Sequence, residues 1–196
     1  MADSRAKKLD HFYSLYEGGP ILDVGVSGAK HVSQENLFLE TFRPNHDLYT
    51  GLGVEDLTWV KSQHPDKKFI QYPGHHFPFG DKEFNWIFCN AVIEHVEDQL
   101  LFINEMLRVA NNVFFTTPYK YFPIETHTLV PLIHWSNQLF LLWLKRYRPG
   151  LIKYRINLLS ISDIQSLLKK SRATHYEIYK NRLFCFPMTI TVVCKK

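Results

Sequence analysis

The chain has 196 residues, of which 45% are hydrophobic and 21% charged, and its formal net charge is +4. This length supports one domain with a sizeable core, and no apolar run is long enough to span a membrane. The charge is weak and no run of more than two lysine or arginine residues is followed by interleaved aromatic residues, so a nucleic-acid partner is not expected. The polar N-terminus lacks the apolar region of a secretory signal. We therefore expect a cytoplasmic protein whose three cysteines are small buried hydrophobic residues.

Strand and helix patterns alternate over the first 117 residues. The stretch 20–29 is predicted to be a buried strand that runs into a turn of small residues. The other predicted strands of this part lie at 48–52, 68–72, 84–90 and 113–117. Helical patterns lie at 4–16, 33–42 (with Ser33 as the N-cap), 56–63 and 97–109, and Asn111-Asn112 is predicted to be a turn. This alternation is typical of a parallel sheet that helices cover on both faces.

The last third of the chain has a different pattern. Residues 129–146 are rich in large apolar side chains, a helix is predicted over 160–171, and two strands are predicted at 176–179 and 188–193. The helix-like end of the apolar stretch is followed at once by Lys145, Arg146 and Arg148. Such a segment suits a peripheral membrane contact, a homodimer contact or a lid, and the sequence leaves these alternatives open.

The turn after the first strand carries the first functional signal. Asp23 stands at the strand end, which is where open α/β sheets bind their ligands. Gly25, Ser27, Gly28 and Ala29 follow, and small residues allow a backbone to turn tightly and approach a ligand closely. Alone, this turn predicts only a ligand site.

Further motifs follow in a fixed order. They are Phe77-Pro78-Phe79, Phe84-Asn85-Trp86-Ile87-Phe88, Val92-Ile93-Glu94-His95-Val96, Glu105-Met106-Leu107-Arg108-Val109 and Phe115-Thr116-Thr117-Pro118. With the glycine turn, they resemble the class I S-adenosylmethionine-dependent methyltransferases, in the small-molecule, type 11-like subgroup. The resemblance implies a Rossmann-like, doubly wound, seven-stranded α/β sheet, mostly parallel with the last strand antiparallel. It also implies a single methyltransferase domain over 1–196, with 119–159 as an acceptor-side insertion or lid.

The resemblance assigns a cradle for S-adenosylmethionine. The backbone of 25–27 would face the methionine part, Asp23 would accept from the amine, and Glu55, or else Asp56, would accept from the ribose. The cofactor-binding residues implied are Asp23, Gly25, Val26, Ser27, Gly28, Gly53, Glu55, Gly74, His75, Asn90 and Ala91. The pair Gly74 and His75 would lie beside the adenine, and the pair Asn90 and Ala91 under the cofactor. The chain departs from the family pattern at Ser27, Ala29, Gly53 (where the acid is usual) and Pro73.

Three residues are candidates for catalysis. Methyl transfer depends mainly on positioning, but an acceptor hydroxyl must also lose a proton. His95 suits a general base because its pKa lies near neutral pH, and Glu125 and His127 are expected to contact the acceptor. These residues slightly favour O-methylation of a small-molecule or lipid-precursor acceptor. Related quinone-precursor enzymes hold a metal on Glu-x-x-Glu-His, but the first position here is Ala91, so no metal site is predicted.

Two other functions compete with this interpretation. A non-catalytic methyltransferase-fold binding or regulatory subunit would explain Ser27, Ala29 and Pro73. A nicotinamide-dependent oxidoreductase shares the sheet, but it requires a Gly-x-Gly-x-x-Gly turn that opens directly into a helix. Four residues separate the turn from the predicted helix here, so this function ranks last.

Overall fold

The structure is a computed structural model, and it describes residues 2–30, 36–154 and 156–195. The strands are β1 (Ile21–Val24), β2 (Tyr49–Gly53), β3 (Lys68–Gln71), β4 (Phe84–Asn90), β5 (Ala110–Pro118), β6 (His175–Leu183) and β7 (Phe186–Lys195). The α-helices are α1 (Ala2–Leu15), α2 (Leu37–Thr41), α3 (Thr58–Gln63), α4 (Gln99–Val109), α5 (Asn137–Tyr147) and α6 (Ile161–Lys170).

The strands form a seven-stranded sheet of order β3-β2-β1-β4-β5-β7-β6. Neighbouring strands from β3 to β5 pair in parallel, and β7 pairs antiparallel with both β5 and β6. The expected doubly wound sheet with an antiparallel last strand is therefore confirmed. The strand order reverses between β1 and β4, and open sheets of this kind bind ligands in the crevice at such a reversal.

Alternate residues of β1 serve two cores, one on each face of the sheet. Leu22 and Val24 face the core covered by α4 and α6, whereas Ile21 faces the core covered by α1, α2 and α3. The second core is aromatic: the fully buried ring of Phe12 makes edge contacts with the rings of Phe38, Trp86, Phe88 and Phe114. Helix α1 thereby covers the β1–β4 reversal.

Several predicted boundaries were wrong for identifiable reasons. Asn111 and Asn112 lie inside β5, because α4 ends at Val109 and the strand begins at the next residue. Helix α2 begins only at Leu37, and the predicted cap Ser33 lies outside the described residues. Cys185 is exposed, because it lies in the two-residue turn between β6 and β7, whereas the other two cysteines are buried as expected.

Residues 119–159 leave the sheet and return to it at one place. Tyr119 forms a bridge with Leu159, and the backbone N–H of Lys120 donates to the Leu159 carbonyl at 3.0 Å. Between these points the segment has its own small core, centred on Val130, Phe140 and Leu144. In the part of the chain that the structure describes, no helix is long and apolar enough to cross a membrane.

Candidate functional site

The glycine turn is packed tightly between the ends of β2 and β4. The backbone N–H groups of Gly25 and Val26 both donate to the carbonyl of Leu52, at 2.8 and 3.1 Å. Gly25 has a φ of +99°, and a Cβ there would lie 2.3 Å from a methyl group of Val92. A Cβ on Gly28 would lie 2.1 Å from the carbonyl oxygen of Asp56. Both glycines are therefore required for this close approach of three backbone segments.

Two polar side chains hold the rest of the turn. The Asn36 amide accepts from the Ser27 N–H and donates to the Ser27 carbonyl, both at 2.9 Å. The Glu55 carboxylate accepts from the Gly28 N–H at 2.9 Å and from the Ser27 hydroxyl at 3.2 Å. Ser27, which stands where the family has glycine, thus contributes a hydroxyl to the turn. Asp56 accepts from the N–H and hydroxyl of Thr58, so its carboxylate caps the start of α3.

Asp23 is buried at the end of β1. The Tyr49 hydroxyl donates to its carboxylate at 2.5 Å. Burial raises the pKa of Asp23 to about 7, although the bond from Tyr49 acts in the opposite direction. An ammonium group placed here would favour the ionised carboxylate, because an opposite charge stabilises the charged form.

The Asp23 carboxylate shares a small cavity with Lys8 and Asn90. The cavity also reaches Gly25 and Asn36, and its volume is about 30 Å³. The Lys8 ammonium is buried and donates to the Asn90 side-chain oxygen at 2.7 Å. Sequence reasoning missed Lys8, because a lysine on a polar N-terminal helix gives no sign that tertiary packing will cover it. A carboxylate and an ammonium in one cavity match the charges of an amino-acid group.

A larger open groove lies on the other side of the turn. It has a volume of about 560 Å³ and is lined by Val54, Tyr72, Gly74, His75, Val92, His95, Val96, Glu97, Asp98, Leu101 and Phe102. The predicted adenine neighbours Gly74 and His75 therefore face a groove with apolar walls. Gly53 is not among the residues that line this groove, and a Cβ on it would be 2.4 Å from the Val26 carbonyl oxygen. The expected contacts of Glu55, Gly74 and His75 with a cofactor stay predictions.

The chain bends sharply after β4. Ala91 has a φ of +56°, a backbone angle that residues with a Cβ rarely adopt. Its N–H donates to the Thr116 carbonyl at 3.0 Å, and the Thr116 hydroxyl donates to Asn90 at 2.7 Å. These bonds hold the β4 end against β5 and direct the following 3-10 helix, Ile93–His95, across the end of the sheet.

The candidate catalytic residues lie close together at this end of the sheet. The rings of His95 and His127 are in edge contact, with centroids 5.1 Å apart. The Nδ1 atom of His127 lies 2.7 Å from a carboxylate oxygen of Glu125. Glu94, which was not among the predicted catalytic residues, is fully buried, and its carboxylate accepts from the Thr117 hydroxyl at 3.1 Å.

Glu125 orients His127 and is too enclosed to touch an acceptor. Its side chain is fully buried, and its oxygens accept from the N–H groups of His127 and Thr128 and from the Thr128 hydroxyl. Burial alone would raise the pKa of this carboxyl, but these hydrogen bonds hold it at about 2. Burial alone would lower the pKa of His127, and the ionised Glu125 raises it instead. The expected acceptor contact of Glu125 is therefore corrected to a positioning role.

An apolar groove of about 480 Å³ lies in the insertion. Its walls are Phe140, Leu141, Leu144, Ile152 and Ile156, together with Glu97, Asn137 and Asn157. Asn157 donates its backbone N–H to the Glu94 carbonyl at 2.7 Å. The apolar groove and the histidine cluster are therefore adjacent.

Comparisons with known proteins fit this geometry. A family model described as a methyltransferase domain matches residues 45–112. The search of curated proteins found no match. A SAM-dependent methyltransferase from Thermotoga maritima, described as a possible histamine N-methyltransferase, has a TM-score of 0.63 at 10% identity, covering 96% of this chain and 87% of that one.

Two further solved structures show the same fold. The YcgJ protein of Bacillus subtilis has a TM-score of 0.62 at 14% identity, covering 97% of this chain and 99% of its own. The N-terminal domain of EvdMO1 was solved in the presence of SAH (S-adenosylhomocysteine) and D-fucose. It has a TM-score of 0.62 at 15% identity, and the match covers 100% of this chain and 83% of that one. The chain spans 41% of the longer EvdMO1 chain. The chain therefore has the fold of class I S-adenosylmethionine-dependent methyltransferases, and residues 45–112 match the model of a methyltransferase domain.

Proposed function

We propose that this methyltransferase transfers the methyl group to a hydroxyl of a small amphiphilic acceptor. The observation that carries the proposal is the cluster of Glu94, His95 and His127 at the end of the sheet, between the cofactor cradle and an apolar groove. Residues 119–159, which supply His127 and most of the groove, are proposed to form the acceptor side of the site and to cover it as a lid.

The cradle fits the cofactor by its charges and its backbone. Asp23 would hold the amine of the methionine part and Lys8 its carboxylate, while the glycine turn would lie against the backbone of that part. The cavity between Asp23 and Lys8 has room for a water or two, so α1 must move outward to admit an amino-acid group. When bound, the cofactor supplies an electrophilic methyl group on a sulfonium sulfur.

The residues of the cluster have separate roles in this mechanism. Glu125 holds the His127 ring through Nδ1, so the Nε2 atom is directed away from Glu125 and can accept the proton of an acceptor hydroxyl. His95 lies against that ring and lines the cofactor groove. The apolar walls around Phe140 and Leu144 would hold an acyl, prenyl or aromatic part of the acceptor and exclude water from the reacting hydroxyl.

One structural neighbour supports a hydroxyl-bearing acceptor. The EvdMO1 domain was solved in the presence of SAH and D-fucose, a small molecule with several hydroxyl groups. The Thermotoga maritima neighbour, described as a possible histamine N-methyltransferase, illustrates an amine acceptor on the same fold. The buried carboxylate–histidine pair of Glu125 and His127 favours the hydroxyl, because an alcohol requires a base more than a neutral amine does.

Binding and turnover test the proposal in turn. At about a hundred times its dissociation constant, SAH should stabilise the chain by roughly 2.7 kcal/mol, or about 5 to 10 °C in Tm. Labelled methyl groups should then pass from S-adenosylmethionine to alkyl-chain phenols or alkyl glycosides, and His127→Ala should lower this turnover with little change in SAH affinity. Absence of SAH binding would overturn the proposal. Binding without transfer to hydroxyl or amine acceptors would favour the non-catalytic subunit.

We further propose that the exposed face of α5 contacts an anionic membrane surface from the cytoplasmic side. Leu139, Leu142 and Tyr147 are each about 60% exposed, and the exposed residues Lys145 and Arg146 extend the same helix. Segment 129–148 contains basic residues and no acidic one. A symmetric dimer through this face would bring like charges together, whereas anionic lipid headgroups would neutralise them. The exposed, unpaired Cys185 suits a reducing compartment.

A further inference from the structure

Glu94, His95 and His127 form a cluster with the chemistry of a metal site. Each offers one ligand atom, and these atoms all lie within 4.8 Å of one another. Glu94 and His95 come from the 3-10 helix after β4, and His127 comes from the loop after β5. Two imidazoles and one carboxylate are a common ligand set for Zn²⁺ and other divalent transition metals.

The buried carboxylate of Glu94 provides a second, independent observation. One of its oxygens accepts from Thr117, but Oε1 has no hydrogen-bond partner among the described residues, although Glu94 is fully buried. A buried carboxylate oxygen without a partner is destabilising. A cation between Glu94 and the two histidines would satisfy this oxygen.

His127 is oriented in the way that metal-binding histidines usually are. Its Nδ1 atom faces the enclosed carboxylate of Glu125 at 2.7 Å, which leaves Nε2 for a ligand on the other side of the ring. Metal ligands commonly donate their second N–H to a carboxylate, which fixes the ring and raises its basicity. Glu125 would therefore support the metal from behind His127.

The distances allow a metal after a small adjustment. Bonds of about 2.0 to 2.2 Å place two ligand atoms at most about 4.4 Å apart. The side chains would need to close by roughly half an ångström or more, and 29% of the His127 side chain is exposed. His127 would supply the third ligand in a chain that has Ala91 at the first position of the Glu-x-x-Glu-His pattern, and the sequence spacing did not reveal this.

We propose that Glu94, His95 and His127 bind a divalent transition metal of the Zn²⁺ type, with Glu125 positioning His127. A divalent cation held there would act as a Lewis acid and lower the pKa of an acceptor hydroxyl. With the cation bound, Nε2 of His127 would be a ligand, and the cation would replace His127 as the group that activates the hydroxyl. This proposal rests on the proposed function for the role of the metal, but not for its binding.

Metal binding can be measured without cofactor or acceptor. The full chain, treated with a chelator and dialysed, is titrated with Zn²⁺ by calorimetry and with Co²⁺ by visible absorption. We expect one equivalent to bind and a Co²⁺ spectrum of nitrogen and oxygen ligation. Glu94→Gln, which preserves shape, and His127→Ala should lower the affinity at least a hundredfold, and Glu125→Gln should lower it by ten- to a hundredfold.

Matched controls separate this site from adventitious binding. His175→Ala removes an exposed histidine on β6, and Cys185→Ser removes the exposed thiol; both variants should bind as the wild type does. The proposal is overturned if no equivalent binds, or if Glu94→Gln and His127→Ala, verified as folded by circular dichroism, bind unchanged. SAH binding without metal binding would leave the proposed function standing, with His127 as a direct base. Metal binding without SAH binding would overturn the proposed methyl-transfer function and leave the proposed metal site standing.

Discussion

The Tyr49 hydroxyl donates a hydrogen bond of 2.5 Å to the buried carboxylate of Asp23, across the pair β1 and β2. Asp23 lies at the end of the strand that leads into the glycine turn, and among the described residues it is the one carboxylate that lines the small cavity shared with Lys8 and Asn90. Tyr49 is fully buried in the aromatic core beneath α1 and α2. The core that holds the sheet together therefore also sets the ionisation of the residue expected to bind the cofactor amine.

The first prediction concerns Tyr49→Phe. Removing the hydroxyl leaves the ionised Asp23 without this donor, so we expect the free energy of unfolding to fall by about 1 to 3 kcal/mol at pH 8. The loss should be smaller at pH 5, where Asp23 is protonated. Urea unfolding at pH 8 and at pH 5 measures this loss of unfolding free energy. Tyr16→Phe, which removes a hydroxyl bonded to the Gly19 carbonyl, is the control and should show the same small loss at both.

The second prediction is the pH dependence that Asp23 imposes. Burial raises its pKa from 3.8 to about 7, so the folded chain holds the proton more tightly than the unfolded chain does. Between about pH 4 and 7 the unfolded state releases this proton first, and stability falls as the pH rises. From pH 5 to 8 the wild type should lose roughly 2 to 3 kcal/mol more than Asp23→Asn. Equal losses in the two proteins would contradict the raised pKa.

Asp23→Asn should also change cofactor binding. The ionised carboxylate is the form that binds an ammonium group, so the wild-type dissociation constant for SAH should increase by up to about tenfold per pH unit below 7. The asparagine variant should bind SAH more weakly at pH 8 and show little change with pH. Calorimetry between pH 5.5 and 8.5 distinguishes the two. A wild-type affinity that does not vary over this range would remove Asp23 from the amine site.

Local patterns predicted the strands that lie in the centre of the sheet. The bounds of β4 match the prediction because its apolar run is flanked by turn and polar residues. The parallel pairing of the central strands followed from the strand and helix alternation, and the antiparallel last strand followed from the family resemblance. In contrast, Asn111 and Asn112 have the composition of a turn but belong to β5. The pairing of this part of β5 with β4 overrides the local preference of the two residues.

The site was only partly predictable. Asp23 and the glycine turn are contiguous in sequence, and they were found. The contact between His95 and His127 joins residues 32 positions apart, so no short sequence motif predicts it. The burial of Lys8 against the end of β4 depends on how α1 packs, and the local sequence does not show this packing either. The enclosure of Glu125 is also tertiary, because the loop folds back so that the Glu125 N–H donates to the Val130 carbonyl.

The third prediction concerns Arg108, which fastens the β3–β4 connection to α4. Its guanidinium makes two bonds of 2.8 Å to the Glu105 carboxylate and donates to the carbonyls of Phe77 and Phe79 and to the Asp81 carboxylate. Glu105 also accepts from the Phe77 N–H at 2.9 Å. These contacts give a structural reason for the Glu105–Val109 motif.

Arg108→Ala would remove both guanidinium bonds from the buried Glu105 carboxylate, which would keep the Phe77 N–H, and would remove the Arg108 donor from two carbonyls. We expect a loss of about 3 to 5 kcal/mol in stability, measured by denaturant unfolding. Arg108→Lys keeps the charge without the two-pronged geometry and should recover only part of it. The exposed Arg182→Ala is the control and should change stability by less than about 0.5 kcal/mol. Full recovery by lysine would show that charge alone matters here.

The fourth prediction tests the proposed membrane contact of α5. Phe140 and Leu144 face the small core of the insertion, while Leu139 and Leu142 lie on the outward side with Arg146 one turn further on. The leucines would enter the lipid interface, and the basic end of the helix would meet anionic headgroups. The wild-type chain should therefore co-sediment with vesicles containing phosphatidylserine at low salt and remain in the supernatant with neutral vesicles.

Two variants separate the apolar from the electrostatic part of this contact. Lys145→Glu with Arg146→Glu should abolish co-sedimentation with anionic vesicles, because each basic residue near such a surface contributes about 1 kcal/mol. Leu139→Ser with Leu142→Ser should weaken it even at low salt, since the buried apolar area is lost. Lys169→Glu with Lys170→Glu makes the same charge change at the end of α6 and should leave binding intact. If the wild type stays in the supernatant and sediments in the ultracentrifuge as a dimer that the leucine variant dissociates, α5 is a homodimer contact. If it stays there as a monomer, the exposed face of α5 contacts neither a membrane nor a second copy, and the lid role of 119–159 is left as its function.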